Sequence, residues 1–380
     1  MSYLWTSEAV SCGHPDKVAD QIADTVLDAH LVLDQLARVA CEVTVMSDLV
    51  LLTGEISSDA NVDVEGVTRG MICRIGYDRP EHCFDGNTVP ILNKIKRQSS
   101  EIAKAVTRSD GEIGAGDQGM MFGFACNETE TYMPLAHYWA FRFVRMLERH
   151  RREIHASPFL PDAKTQVTVR YDDDGKPEIV DTVLISTQHN DSCSFAAMES
   201  IVRRLCEMTT SGSPLFTEDT RYIINPGGSW HVGGPAADTG LSGRKIIVDN
   251  YGSDCPHGGG SFSGKDPTKV DRSAAYAARH IAKNIVASGR ANRATVQLSY
   301  GIGMAQPISI RVQTDWPYQD AELTKIIKEK ILLTPLAIIK RLYLLTPIYR
   351  ETATGGHFGN DIRPWEQLNL MDLFKKGGES

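Results

Sequence analysis

A glycine-rich stretch at residues 257–266, HGGGSFSGKD, has the spacing that most directly suggests chemistry. From Gly259 to Lys265 it fits G-x-x-x-x-G-K, the pattern of a loop whose backbone N–H groups hold phosphates. The next position of that pattern is a Ser or Thr that holds Mg²⁺, and here it is Asp266. The stretch is therefore either a P-loop with an altered metal ligand or a different way of holding a polyphosphate.

Basic side chains gather where this stretch ends. Lys265, Lys269 and Arg272 fall at one loop–helix junction, with Asp271 interleaved. In a chain of net charge −8, such a cluster beside glycines and carboxylates suggests a polyphosphate with Mg²⁺. A solvated helix start with a few salt bridges is the alternative at this point.

A second candidate lies near the N-terminus, in SEAVSCGHPDKVADQ. His14 and Asp16 flank Pro15, which predicts a helix start, and a helix N-terminus favours anions. Taken alone, a histidine at this place is more often a cap or surface residue. An aspartate in the first turn is usually a capping residue.

The surroundings of the glycine-rich stretch do not match a P-loop. A strand is predicted at residues 244–249, but more loop follows before the glycines, and the next helix is predicted to begin late, at Thr268. Backbone N–H groups and a helix N-terminus still suit an anion in any fold. A phosphate cradle outside a P-loop fold is therefore predicted.

Residues 114–119, GAGDQG, fit the dinucleotide pattern G-x-G-x-x-G. That pattern needs a strand before it and a helix after it, whereas here a strand is predicted to follow. A glycine-rich turn leading into a strand is the favoured interpretation. The alternative is a ligand site close to the backbone, with Asp117 as the polar contact.

The elements that must position these residues mix helices with hairpins. The helix predicted from Pro15 has apolar side chains on one face and a stripe of aspartates on another: Asp16, Asp20, Asp24 and Asp28. Further helices are predicted at residues 62–75, 134–152, 195–208, 268–288 and twice within 321–344, and strands at 38–47, 49–57, 164–171, 178–187, 221–225, 295–300 and 308–313. Hairpins mixed with helices predict α+β layers.

The composition is that of an ordinary globular chain, with 380 residues, 42% hydrophobic and 23% charged. Its acidic net charge argues against broad nucleic-acid binding. Eight scattered cysteines without a C-x-x-C pair predict reduced thiols in a cytosol. Because neither a signal-peptide pattern nor a bilayer-length apolar run is found, we expect a cytoplasmic protein without a membrane partner.

Five segments together resemble the methionine adenosyltransferase family, the S-adenosylmethionine synthetases. They are GHPDKVADQIADTVLDAHL, GAGDQGMMFGFACNET, PDAKTQVTVRYDDDGKP, GLSGRKIIVDNYG and HGGGSFSGKDPTKVDRSAAYAARHIAKNIVASG. The likeness continues through PIYRETATGGHFG and PWE near the C-terminus, so it runs almost from end to end.

The resemblance implies an enzyme that joins ATP and L-methionine. In this family the methionine sulfur attacks ribose C5′ and displaces triphosphate, which the same site cleaves to pyrophosphate and phosphate. The implied fold is three similar α+β domains interleaved around a pseudo-threefold axis, at residues 1–100, 113–231 and 232–370, with a mobile loop at 98–109 gating the site. Homodimers with active sites at their interface, or tetramers of two such dimers, are implied.

The resemblance also implies roles for residues of this chain. The implied catalytic residues are His14, Lys164, Arg244, Lys245, Lys265, Lys269 and Asp271. The implied ATP contacts are His14, Asp162, Lys164, Ser229, Trp230, Asp238, Arg244, Lys245, Ser261 and Lys265, and the methionine contacts are Glu55, Gln98, Asp117, Asp238 and Lys269. Two Mg²⁺ ions and K⁺ are implied, with Asp16 and Asp271 as magnesium ligands and Glu42 as the potassium ligand.

Three residues at two places depart from the family's pattern. Ser229-Trp230 stands where the family has Arg-Phe, so a ring able to stack on adenine is kept and a guanidinium is lost. Ser261 replaces the usual Ala. These changes predict a modest difference in ATP affinity or base selectivity.

Two other classes of function compete with this interpretation. A non-catalytic regulatory paralogue would bind partner subunits, but the implied catalytic residues are present in this chain. A phosphotransferase that moves a γ-phosphate would use the glycine-rich loop and release ADP. The products therefore distinguish the three hypotheses.

Overall fold

Three β-sheets packed against helices make up the described part of this computed structural model, residues 2–97 and 113–375. The strands are β1 (Tyr3–Val10), β2 (Arg38–Met46), β3 (Leu49–Ser57), β4 (Ile91–Asn93), β5 (Gly119–Cys126), β6 (Phe159–Tyr171), β7 (Pro177–His189), β8 (Arg221–Ile224), β9 (Gly240–Leu241), β10 (Arg293–Tyr300) and β11 (Ser309–Thr314). The helices are α1 (Pro15–Leu33), α2 (Val64–Ile75), α3 (Leu135–Glu153), α4 (Phe195–Thr210), α5 (Ile246–Asp249), α6 (Val270–Ala287), α7 (Asp320–Lys330), α8 (Pro335–Arg341) and α9 (Met371–Phe374).

Each sheet contains one strand that is distant in sequence from its neighbours. The strand orders are β4-β3-β2-β9, β1-β6-β7-β8 and β11-β10-β5. The distant strands β9, β1 and β5 pair antiparallel with β2, β6 and β10. The layers are thus joined by strand exchange, and the predicted interleaved α+β fold is confirmed.

A long helix covers the place where each distant strand joins its sheet. α1 packs on β2 and β9, α3 on β6 and β1, and α6 on β5 and β10. α1 begins at Pro15 after the cap residue His14, and its face with Val18, Ile22 and Val26 is fully buried. One hydrophobic core serves the first and third sheets, and another serves the second.

The strand predicted at residues 244–249 is wrong, because Ile246–Asp249 form the short helix α5. The turn brings Asp249 to the buried Lys17 of α1, whose ammonium donates to the Asp249 carboxylate at 2.5 Å. This tertiary contact overrides the β-propensity of the Ile-Ile-Val run.

The helix predicted from Thr268 begins instead at Val270. The Thr268 hydroxyl donates to Asp266 at 2.6 Å, so it fixes the preceding loop and does not cap the helix. β1 was absent from the sequence predictions, because only its last residues are buried and it lacks the alternation of a half-buried strand. All eight cysteines are free, as predicted, and no described helix is long and apolar enough to cross a bilayer.

Candidate active site

The N-terminus of α1 holds a first group of predicted site residues. His14 caps the helix, because its Nδ1 accepts a hydrogen bond from the Asp16 N–H at 3.1 Å. Asp16 is buried, and its carboxylate accepts from the Lys245 ammonium at 2.5 Å and the Leu241 N–H at 3.0 Å. Arg244 lies 3.9 Å from the same carboxylate. Two predicted phosphate ligands therefore meet a predicted magnesium ligand here.

Burial and neighbouring charges set the protonation of this first group. Burial, together with the Lys245 and Lys164 ammonium groups, lowers the pKa of His14 to about 3, so its imidazole is neutral near pH 7. Because Nδ1 accepts a hydrogen bond, the proton of the neutral ring lies on Nε2. Burial opposes ionisation of Asp16, but Lys245 and the Leu241 N–H outweigh it and lower the pKa of Asp16. A neutral N–H donor thus lies beside an ionised carboxylate.

Asp162 and Lys164, on β6, lie close to the first group. Pairing of β6 with β1 sets Lys164 opposite Val10. Asp162 is buried, and its Oδ2 accepts from the Gly234 N–H at 2.8 Å, whereas its Oδ1 has no hydrogen-bond partner among the described residues. Burial raises the pKa of Asp162 to about 6. A buried acceptor without a partner is suited to a ligand hydroxyl or a water.

Ser229 and Trp230 lie on the loop after β8, beside the end of β7. The Trp230 carbonyl accepts from the His189 N–H at 2.9 Å, and the indole N–H donates to a carbonyl of the same loop at 2.7 Å. Asp238 is exposed, and besides burial its charge raises the pKa of Asp162. Asp238 therefore lies near Asp162, and Trp230 is held beside His189.

The N-terminus of α6 holds a second group. The Lys265 ammonium donates to the Asp271 carboxylate at 2.6 Å. A Cβ atom on Gly260 would lie 2.5 Å from that carboxylate, so the glycine-rich loop folds closely over the helix start. A Cβ atom on Gly119 would lie 3.3 Å from it, which places the turn of the exposed Asp117 at the same helix.

The remaining charges of this junction have structural partners. The Lys269 ammonium donates to Asp266 at 2.5 Å, and the fully buried Asp266 also accepts from the Val39 N–H at 2.7 Å. Asp266 thus anchors the loop to β2. The grouping of Arg272 with phosphate ligands is wrong, because Arg272 is fully buried and donates twice to Asp24, at 2.7 and 2.8 Å.

Ser261 lies where the two basic loops meet. A Cβ atom on Gly243 would come within 2.7 Å of the Ser261 Cβ, so the loop with Lys245 touches the glycine-rich loop. In the first of these loops, the Ser242 hydroxyl donates to the predicted potassium ligand Glu42 at 2.5 Å. Glu42 therefore lies beside the loop that also carries Lys245.

Glu55 lies opposite Ala40 of β2, and the Ala40 backbone bridges to that of Lys265, so β2 connects this predicted methionine contact to the second group. Glu55 is exposed on β3, and its backbone bridges to that of Lys96. Gln98 and the loop predicted at residues 98–109 lie outside the described residues.

Within residues 2–97 and 113–375, no group of three or more His, Cys, Asp or Glu side chains is arranged to hold a metal ion. The predicted magnesium ligands Asp16 and Asp271 each pair with a lysine, and in these ranges no hydrogen bond or ion pair joins the first group to the second. Mg²⁺ commonly binds through one or two carboxylates and substrate phosphates. The donors therefore fit a metal ion that binds together with phosphate.

The sequence patterns did not reveal the buried charges behind α1. The Lys17 ammonium lies between two carboxylates and donates to Asp20 at 3.0 Å and to Asp249 at 2.5 Å. Burial raises the pKa of Asp249 to about 7. The available signal was the four-residue spacing of the aspartates, which marks a second face of α1.

Three family models match the chain in succession. They describe the N-terminal, central and C-terminal domains of S-adenosylmethionine synthetase and match residues 2–100, 112–230 and 232–367. The S-adenosylmethionine synthase of Helicobacter hepaticus is 46% identical to this chain over 379 residues, and that of Helicobacter pylori is 47% identical over 380 residues. Both alignments cover 98% of each protein.

Proposed function

The chain belongs to the S-adenosylmethionine synthetase family and is an enzyme, and we propose from this premise how its residues form S-adenosylmethionine from ATP and L-methionine. The methionine sulfur forms a bond to ribose C5′ while the C5′–O bond to the triphosphate breaks. The electron pair of the broken bond leaves with the triphosphate. Water then cleaves the triphosphate to pyrophosphate and phosphate in the same site.

His14 is assigned to the leaving oxygen. A neutral thioether is a weak nucleophile, so the reaction depends on alignment and on stabilising the negative charge that develops on this oxygen. The neutral imidazole of His14 has its proton on Nε2, where it can donate a hydrogen bond. The cap hydrogen bond from the Asp16 N–H supports this role, because it fixes the ring and its tautomer.

Cations from both groups are assigned to the triphosphate. Arg244, Lys245 and Lys164 lie near the N-terminus of α1, and Lys265 lies in the loop before α6. Enzymes of this family need a divalent metal ion. We assign two Mg²⁺ ions to Asp16 and Asp271 together with phosphate oxygens, and K⁺ to Glu42. Bound Mg²⁺ would neutralise charge on the phosphates.

The nucleoside and methionine contacts follow the family assignments. The unpartnered Oδ1 of Asp162 suits a ribose hydroxyl, and the fixed Trp230 side chain offers a ring to adenine. The other proposed nucleoside contacts are Ser229, Asp238 and Ser261. The proposed methionine contacts are Glu55, Gln98, Asp117, Asp238 and Lys269.

We propose that a complete active site combines the first group of one copy with the second group of another, in a homodimer or tetramer. Within the described residues each predicted magnesium ligand pairs with a lysine of its own group and no ion pair joins the two groups, which supports this arrangement even though their loops touch at Ser261. Exposed apolar side chains near each of the two groups supply surface for an interface. Leu241 and Ile247 flank Lys245. Met120 follows Gly119 on β5, and Ile302 lies in the turn that hydrogen-bonds Ala115.

The domain ranges and cellular location are also proposals. Domains at residues 1–100, 113–231 and 232–370 would each give one strand to another domain's sheet: β1 to the second, β5 to the third and β9 to the first. Free cysteines throughout support a reducing compartment such as the cytoplasm.

The observation that carries the function is the α1 site, where neutral His14 and ionised Asp16 lie beside Lys245 in a chain of this family. Product analysis by mass spectrometry tests it with purified protein, ATP, methionine, Mg²⁺ and K⁺. We expect S-adenosylmethionine, pyrophosphate and phosphate. ADP without a sulfonium product would establish the phosphotransferase alternative, and no turnover would favour a regulatory paralogue.

A further inference from the structure

One face of α1 receives three loops that are far apart in sequence. Asp20 accepts a hydrogen bond from the Gly243 N–H at 2.8 Å, and Asp24 accepts one from the Gly264 N–H at 2.8 Å. One turn further, Asp28 accepts from two consecutive N–H groups, those of Tyr349 and Arg350. We call Asp16, Asp20, Asp24 and Asp28 the aspartate rail.

Two of these loops carry the lysines assigned to the triphosphate. Gly243 comes two residues before Lys245, and Gly264 comes directly before Lys265. The third loop, at Tyr349, contains none of the assigned site residues. The aspartate rail therefore ties both basic loops to one helix and offers an internal comparison.

The attachments are short, buried and charge-assisted. Asp20 and Asp24 are fully buried, and hydrogen bonds from N–H groups to a buried carboxylate are stronger than neutral ones. Four residues along a helix correspond to a rise of about 6 Å, so successive aspartates hold their loops at a fixed spacing. Both loops approach closely through glycines with positive φ, Gly243 at 75° and Gly264 at 79°.

We propose that Asp20 and Asp24 are positioning residues, which set where Lys245 and Lys265 lie in the active site. Asp20 fixes the loop of Lys245, and Asp24 fixes the loop of Lys265. Neither carboxylate touches substrate. The inference rests on the proposed function, because it gives these lysines their role on the triphosphate.

Asp20 is the better position for a test. Removing Asp24 would leave the buried Arg272 without its bidentate partner. Lys17, by contrast, keeps Asp249 when Asp20 is removed, so Asp20→Ala leaves a balanced ion pair. Asp28→Ala is the matched control, with the same change on the same face of the same helix.

The experiment measures kcat, KM for each substrate, and calorimetric affinity for tripolyphosphate. We expect Asp20→Ala to lower kcat by about 10- to 100-fold and to weaken tripolyphosphate binding about 10-fold, because small misplacements of catalytic groups are costly. KM for methionine should change less than about 2-fold. Asp20→Asn, which keeps an acceptor for the Gly243 N–H, should recover most of both losses, and Asp28→Ala should stay within about 3-fold of wild type.

Equal effects of Asp20→Ala and Asp28→Ala would overturn the proposal. If Asp20→Ala does not fold, Gly243→Ala takes its place, because the added Cβ would meet Ser261 and displace the same loop. Wild-type values for that variant would also overturn the proposal. A wild-type protein that forms no S-adenosylmethionine would overturn the proposed function, and tripolyphosphate binding would still decide whether Asp20 positions the loop.

Discussion

Two helix N-termini carry the same kind of ion pair in different settings. At α1 the Lys245 ammonium donates to Asp16 at 2.5 Å, and at α6 the Lys265 ammonium donates to Asp271 at 2.6 Å. The Asp16 side chain is 4% exposed and also accepts a backbone N–H. The Asp271 side chain is 17% exposed and, among the described residues, accepts a hydrogen bond from Lys265 alone.

The difference shows how much of the site is built before substrate binds. At α1 the His14 cap holds the Asp16 N–H, while a backbone donor and a lysine hold the Asp16 carboxylate. At α6 the cap residue Lys269 makes no side-chain hydrogen bond to the helix, and its ammonium turns to Asp266. We infer that α1 is preorganised, while the pair at α6 must be completed by phosphate and by a second copy.

Lys265→Ala should have the largest effect on turnover. If Lys265 stabilises charge that develops on the triphosphate, its loss should lower kcat at least ~100-fold. Steady-state kinetics measures this, with Lys325→Ala, a solvent-exposed lysine outside the site, as the matched control. A Lys265→Ala enzyme with nearly normal kcat would remove Lys265 from the catalytic residues and would leave α1 as the only catalytic region.

Loss of the lysine at α1 should lower the free energy of unfolding more than loss of the lysine at α6, although Lys265 is expected to matter most for turnover. Lys245→Ala leaves Asp16 buried without its lysine, and we expect a loss of about 2 kcal/mol in the free energy of unfolding. Lys265→Ala breaks a more accessible pair and should cost about 0.5 kcal/mol. Urea denaturation of the ligand-free proteins checks both values. Equal losses would contradict the claim that only α1 is preorganised.

The pH dependence of stability should also distinguish α1. The pKa of His14 is about 3 in the fold against about 6.5 unfolded, so between these values the unfolded chain binds the extra proton. The contribution of His14 is therefore complete above pH 6.5 and is lost as the pH falls towards 3. From pH 6.5 to 5.5, wild type should lose about 1 kcal/mol more than His14→Asn. Parallel curves for the two proteins would show that His14 is not held neutral.

The smallest expected effect concerns Ser229, where this chain lacks the arginine of the family's pattern. Ser229→Arg would restore a guanidinium on the exposed loop beside Trp230. We expect KM for ATP to fall by about 3-fold, with a smaller change for GTP. Unchanged values for both nucleotides would show that the departure at Ser229 does not affect nucleotide binding.

Much of this organisation could be predicted from sequence. Periodicity predicted most helices and strands, and motif resemblance indicated the residues now found around His14 and Lys265. The predictions that were wrong share one physical cause, because tertiary contacts outweighed the local sequence pattern. The contact between Asp249 and Lys17 holds a β-prone run as a helix. Arg272 is a side chain of the type that binds phosphate, but it is buried and donates to Asp24. The local sequence pattern does not reveal either partner, Lys17 or Asp24.

The glycine-rich stretch shows the same limit. Asp266 stands at the metal position of a P-loop, yet it is fully buried and accepts from Val39 and Lys269. The sequence predicted that metal binding lies elsewhere, but not that Asp266 fastens the loop to β2. The aspartate stripe of α1 was visible as a pattern, whereas its use as a docking face depends on three distant loops.

A complementation assay tests the central claim that the two groups combine across copies. Lys245→Ala and Lys265→Ala are each expected to be nearly inactive, and the two proteins are unfolded, mixed in equal amounts and refolded together. If sites are shared between copies, half of the dimers are mixed and each has one intact site, so activity should return to about a quarter of wild type. A mixture no more active than its two components would contradict the account, because each site would then lie within one chain.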